Sequence, residues 1–396
     1  MQKMLTIRLM TMMLLQYFVQ GSWSMMIGAV LSGYGMRNSI GTTYTLLGLA
    51  TIISPLFIGM IADRFFGAEK VLGTLHLLNS LVLYQVALAI SHQYHTVFFV
   101  LIFTVGLLYY PTLALSNSIA FRHLEDSRLF PYIRVVGNIG FILSGLAMGY
   151  YEIFNHVVVF KVATFASIIY GIYCFSLPNT PPITTSLNWR TLFCLDAFQL
   201  FKDRYFSLFM MITLLVMISK TAYSAYLPVY LKDFQLNAAN MMQIGVVSEV
   251  LMMLFLSLMI KRWGFKPIML IGIIAWAVRS LLLAISAIST EPLLYILTSL
   301  VLQGICWTFF FTVGDMYVNS KAQNHIRTQA QSLRYIFSNG LGILISSSLI
   351  GLIYNHTLTH DKLPEIATQW ATFWWYPTLI AAISAVIFLL FFKEKC

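Results

Sequence analysis

The stretch MMQIGVVSEVLMMLFLSLMI, residues 241–260, decides the fold class. It is a mostly apolar run that holds a single carboxylate, Glu249. The hydrocarbon core of a bilayer takes about 20 helical residues to cross, so the run has the length of one transmembrane helix. A carboxylate at the centre of such a span costs about 2.5–3.5 kcal/mol on insertion scales. An acid kept there at that cost points to a function. The function it suggests is carrying a proton in a solute transporter.

The rest of the chain agrees with a membrane setting. Of its 396 residues 59% are hydrophobic and only 10% charged, with a mean hydropathy of +0.80. A soluble domain carries about 25% charged residues, so this surface suits lipid rather than water. After Lys3 and Arg8 the chain continues through MTMMLLQYFVQGSWSMMIGAVL, which is too long for a signal peptide and has no small-residue cleavage site, so it reads as a retained first span. The net charge of +10 forms no continuous basic stripe, which argues against nucleic acid. Cys174, Cys194, Cys306 and Cys396 have neither disulfide nor metal-ligand spacing. No metal or cofactor is expected, and a proton gradient is the energy source that a membrane acid implies.

Apolar segments recur at 9–34, 40–61, 71–91, 96–120, 132–153, 157–177, 206–231, 238–260, 267–288, 292–318, 328–354 and 371–392, which predicts twelve transmembrane helices. The strict alternation of a membrane β-barrel is absent. Basic residues gather on alternate connections, at Arg64 and Lys70, Arg122 and Arg128, Lys261, Arg262 and Lys266, and Lys321 and Arg327. Opposite connections carry only Arg37, Lys161, Lys232 and Lys362. The positive-inside rule then puts both termini of this multi-pass chain in the cytoplasm. Residues 178–205 begin with three prolines, at 178, 181 and 182, and read as a cytoplasmic linker. It joins an N-terminal six-helix bundle (1–177) to a C-terminal one (206–396).

The halves echo each other. GMIADRFFGAEKVL (59–72) matches MIKRWGFKPIML (259–270), and VVGNIGFILSG (135–145) matches FSNGLGILISS (337–347). Such a duplication predicts two pseudo-symmetric bundles with the solute at midplane. GMIADRFFGAEK resembles the charged loop of the major facilitator superfamily, with one extra residue before Gly67. Asp63 and Arg64 are therefore read as a conformational latch. An ordinary charged turn is the plainer alternative.

Within the spans the remaining ionisable residues are Arg134, Lys220, Glu249, Arg279, Asp315 and Arg334. A short connection makes the helices of Lys220 and Glu249 an antiparallel hairpin, which predicts that the two pair at similar depth. Such a pair favours the ionised carboxylate while desolvation opposes it. That balance suits a coupling acid, and a permanent structural ion pair is the alternative. Arg134, Asn138 and Phe141 share a helix face and offer a fork of donors, an amide and an aromatic plate to a flat solute. By position alone Arg134 also fits a snorkelling arginine. Thr221 and Ser224, and Gln303 with Trp307, add further candidates. The run WTFFF leaves lipid or helix packing open for Trp307, and Arg279 and Arg334 read as helix-end or inter-helix contacts. No nucleophile–base pair or phosphate loop occurs, so an enzyme is not expected.

Several strings together resemble the bacterial nucleoside:proton symporter family of this superfamily: QGSWSMMIGAVL, YYPTLALSNSIAF, FPYIRVVGNIGF, LDAFQLFKD, VVSEVLMML and IRTQAQSL. The similarity runs in order along nearly the whole chain. It implies a monomeric importer of nucleosides with a proton, working by alternating access. Arg134, Asn138, Phe141, Gln303 and Trp307 would face the solute, and Glu249 would be the coupling acid. The chain departs from the family where amides are replaced by Thr221, Ser224 and Val246, and where an aspartate is replaced by Thr308. Asp315, about 10 Å further along the axis, is a stand-in or a loop-anchoring acid, and Lys220 is a compensating change. Two other readings use the same residues. One is a sugar or glycoside:proton symporter; the other is a transport-dead sensor, which would need a cytoplasmic domain that FFKEKC does not supply.

Overall fold

The computed structural model describes residues 2–64, 66–124, 130–181, 194–323, 326–359 and 365–393. Among them the regular structure is helical throughout, and each of the twelve expected spans is present. The first is bent into α1 (Gln2–Trp23) and α2 (Ile27–Gly33). The next five are α3 (Ile40–Arg64), α4 (Ala68–Ser91), α5 (His95–His123), α6 (Phe130–Tyr150) and α7 (Val158–Cys174). Then follow α8 (Arg204–Asp233), α9 (Ala238–Trp263) and α10 (Phe265–Ile288). The tenth span is α11 (Pro292–Val301), α12 (Gln303–Cys306), a π-helical stretch Trp307–Thr312 and α13 (Val313–Lys321). The eleventh is α14 (Arg327–Tyr335), a second π-helical stretch Ile336–Gly342 and α15 (Ile343–Thr357), and α16 (Glu365–Phe391) ends the bundle. Nine of the described helices are long and apolar enough to cross a membrane.

Local chemistry sets several helix ends. Asp203 caps α8, its Oδ1 accepting the Tyr205 N–H at 2.8 Å. Burial works against ionising this carboxyl, but the Tyr205 and Phe206 N–H groups and Lys321 together hold it below the usual range. Pro292 opens α11, where its missing N–H is no loss. Gly264 turns the chain between α9 and α10 at φ 74°, a left-handed conformation that favours glycine. Along α16, Leu379, Ile383, Val386 and Leu390 are exposed apolar residues at helical spacing, as a lipid-facing stripe requires.

The chain divides into two compact units, Met1–Leu187 with Leu231–Asn240, and Asn188–Tyr230 with Met241–Cys396. In the first, glycines bring α1 and α6 together. A Cβ on Gly140 would collide with the Leu14 carbonyl oxygen, and one on Gly21 with Ser144 Oγ. Residues 231–240 join this unit through polar contacts. Arg37 pairs with Asp233, Lys232 Nζ donates to Ser32 Oγ at 3.2 Å and Asn237 Nδ2 donates to the Gly149 carbonyl at 2.8 Å.

The first unit also buries a polar network around His76. Gln16 Nε2 donates to the Tyr109 hydroxyl (3.0 Å) and to Thr112 Oγ1 (2.9 Å). Its Oε1 therefore faces His76 Nε2 at 3.3 Å. Ser167 Oγ lies 3.0 Å from His76 Nδ1 and donates to the His76 carbonyl at 2.9 Å. Buried polar groups need such partners, and these tie α1, α4, α5 and α7 into one packing unit. The second unit is rich in aromatic contacts. Trp370 and Trp374 stack with ring centroids 6.1 Å apart, and Tyr226 lies 4.3 Å from Tyr354.

Candidate functional site

In the first unit the candidate residues lie on α6. Arg134 is exposed and Asn138 and Phe141 are half-buried. The guanidinium Cζ of Arg134 sits 5.0 Å from the centre of the Tyr17 ring, a cation–π contact. Gly137 and Gly140 turn a neighbouring face of the same helix onto α1. Of the three candidates, Arg134 and Phe141 border α1, at Tyr17 and Gly21. The side chains of Asp63 and Arg64, read as a latch, lie outside the described residues.

In the second unit the geometry centres on Gln303. Its Oε1 accepts from the Tyr223 hydroxyl at 2.7 Å and from Arg279 Nη2 at 3.0 Å. The Arg279 guanidinium lies over Tyr223, with Cζ 3.2 Å from the ring centre and 5.2 Å from the centre of the Trp276 ring. Both Gln303 and Arg279 are buried. Gly245 on α9 leaves the room that the Gln303 amide occupies, and Gly304 packs against the Ser248 backbone. Ser248 Oγ in turn donates to the Val301 carbonyl at 2.5 Å, next to the break after α11. Glu249, the following residue, is half-buried and within electrostatic reach of Tyr223.

Lys220 departs from the sequence expectation. Among the described residues its ammonium forms no ion pair with Glu249. It donates to Asn339 Oδ1 at 3.5 Å and sits 5.2 Å from the centre of the Trp307 ring. Lys220 instead turns toward Asn339 and Trp307. Trp307 and Asn339 lie on the two π-helical stretches. Such stretches widen a helix by one residue and occur often at functional sites.

The other candidates fall around this centre. Thr221 is buried, with Oγ1 2.6 Å from Ser346 Oγ on α15, and Ser224 is half-buried. Thr308 is fully buried, and among the described residues its Oγ1 has no hydrogen-bond partner. Asp315 has a side chain 57% exposed and lies 3.7 Å from Nε of the buried Arg334. That guanidinium also stands over the Phe209 and Phe311 rings, at 5.3 and 5.8 Å. Tyr223, Arg279 and Asn339 were not among the sequence candidates for the solute or proton. For Tyr223 nothing in the sequence singles it out from the other tyrosines. Arg279 carried the signal of an intramembrane charge and was read as an inter-helix contact, which it does make.

A family model described as "Nucleoside H+ symporter" matches residues 3–396. The YegT protein of Escherichia coli (strain K12) is 32% identical over 98% of this chain and 94% of its own length. The xanthosine permease of the same organism is 29% identical, covering 98% and 96%. Two crystal structures of the nucleoside transporter NupG, one of them a point mutant, match with TM-scores of 0.87 and 0.90 at 25% identity. They cover at least 98% of this chain and 100% of their own. The POT family transporter PepTSo shares the fold alone, at a TM-score of 0.72 and 12% identity. The fold is that of the major facilitator superfamily, and the chain is a transporter rather than an enzyme. With the family model spanning nearly every residue, this multi-pass membrane protein belongs to the nucleoside H+ symporter family.

Proposed function

We propose that the protein is a proton-coupled nucleoside importer of a bacterial inner membrane, with both termini cytoplasmic, working by alternating access as a monomer. The family match over residues 3–396 carries this reading. Arg134, Asn138 and Phe141 bind the nucleoside from the first unit. Gln303, Trp307, Thr221 and Ser224 bind or frame it from the second, and Asp63 and Arg64 act as the latch. Aromatic faces stack on the base, while amide and guanidinium donors read the sugar hydroxyls and base edges.

Glu249 is the coupling acid in this reading, and the proton gradient supplies the energy without a cofactor. A half-buried carboxylate inside a span is costly when charged, so loading a proton lowers the barrier to moving the site. Lys220 and Asp315 tune the charge around it. Alternating access needs two states whose equilibrium both solute and proton bias.

The test is tritiated uridine uptake into proteoliposomes with and without an inward proton gradient, wild type beside Glu249→Gln. Wild type should accumulate uridine only with the gradient. Glu249→Gln should lose accumulation and keep exchange. Gradient-driven accumulation by the variant would remove Glu249 from the coupling role.

A further inference from the structure

The second unit buries more positive than negative charge. Lys220, Arg279 and Arg334 are 8%, 1% and 2% exposed, whereas Glu249 is half-buried and the Asp315 side chain is mostly exposed. Arg279 has Gln303 and the faces of Tyr223 and Trp276. Arg334 has Asp315. Lys220 has no carboxylate among the described residues. Its three donors meet one acceptor, Asn339 Oδ1, at the outer limit of a hydrogen bond, and one aromatic face, Trp307. Arg334 adds a like charge to its surroundings.

A buried ammonium so thinly paired is unfavourable until a negative group arrives. The two side chains that touch it suit a nucleobase: an indole on which a base stacks, and an amide that reads a base edge. Both are half-buried rather than sealed in the core.

We propose that Lys220, backed by Trp307 and Asn339, makes this protein select nucleosides whose base is an anion at neutral pH, the class of dioxopurine nucleosides represented by xanthosine. The inference rests on the nucleoside-transport reading above and names its substrate class. An anionic base gives the ammonium the charged acceptor that the protein does not supply. A neutral base such as that of uridine offers only carbonyl oxygens. Protonating Glu249 removes the half-buried carboxylate from this charge set, so proton and anion enter together.

The experiment is equilibrium binding of tritiated xanthosine and tritiated uridine to the purified full-length protein. It is run from well below to well above the ionisation of the xanthosine base. The ratio of the two dissociation constants at each pH cancels those ionisations of the protein that affect both nucleosides alike, and what remains reports the charge of the base against the charge of the site. Wild type should favour xanthosine at least about tenfold once its base is charged, and lose that preference as the base is neutralised. Lys220→Met should abolish the pH-dependent preference and Lys220→Arg should retain it. A ratio that is flat with pH in wild type, or a preference kept by Lys220→Met, overturns the proposal. If Lys220→Met does not fold, the wild-type pH ratio and Lys220→Arg still decide. Failure of wild type to bind either nucleoside would instead overturn the nucleoside reading itself.

Discussion

Arg279 lies over the Tyr223 ring, and the two donate to the same oxygen, Oε1 of Gln303. One amide thus holds three helical segments together, α8, α10 and α12. Its position is set by what it accepts.

Replacing Gln303 by Leu should therefore do more than remove a solute contact. It strands a buried hydroxyl and a buried guanidinium without their shared acceptor. Leaving such groups unsatisfied costs about 1–3 kcal/mol each, and more for a charge. The melting temperature in detergent should fall, and the half-saturating uridine concentration should rise at least about tenfold, or about 1.4 kcal/mol. Unchanged melting would show that Arg279 and Tyr223 find other partners.

Thr308 predicts the opposite. Its hydroxyl is buried and has no hydrogen-bond partner among the described residues, so Thr308→Val exchanges a stranded polar atom for a methyl of similar size. Melting should stay the same or rise by up to about 1 kcal/mol of stability. A clear drop in melting temperature would mean that the hydroxyl has a partner in the membrane.

The His76 network should be sensitive to a single deletion. His76→Leu leaves Gln16 Oε1 and the Ser167 hydroxyl with fewer partners, at a cost of about 1–3 kcal/mol per stranded group. Thermal unfolding should come earlier than in wild type, with no gain from changing pH. Wild-type melting by the variant would assign the packing of this unit to its apolar contacts alone.

At Arg37 and Asp233 the expectation is a rescue. Both side chains are mostly buried, at 16% and 11% exposure, and breaking a buried pair leaves an uncompensated charge worth about 3–5 kcal/mol. Arg37→Asp and Asp233→Arg should each destabilise the protein, and the double exchange should recover much of the loss. A double variant no better than either single would show that the pair contributes through other neighbours.

Close helix packing gives a further check. Gly140→Ala puts a Cβ against the backbone carbonyl of Leu14, which cannot rotate away as a side chain could. Overpacking of this kind costs about 1–3 kcal/mol, read as a lower melting temperature. Gly35→Ala, at φ 73° and away from this contact, separates backbone strain from the clash.

Span positions were legible in the sequence because the bilayer imposes a length and an apolar composition that a single chain displays. The ends of α8, α9 and α10 fall within three residues of those expected from the segments 206–231, 238–260 and 267–288. The first helix begins earlier, at Gln2 rather than residue 9, because polar Arg8 and Lys3 do not interrupt a backbone that satisfies its own hydrogen bonds. The breaks in spans ten and eleven were not legible, since a π-helical stretch has no residue signature comparable to proline.

The sequence by itself determined that this is a twelve-span membrane protein, that it carries a costly acid at Glu249, and which family it resembles. Each of these depends on composition, spacing or ordered strings. Tertiary structure decided partnership. Lys220 turned to Trp307 and Asn339 instead of Glu249, and Gln303 became the shared acceptor of Tyr223 and Arg279. Depth along a helix follows from residue number. The direction in which a side chain leaves a helix, and what it meets there, depends on how distant helices pack.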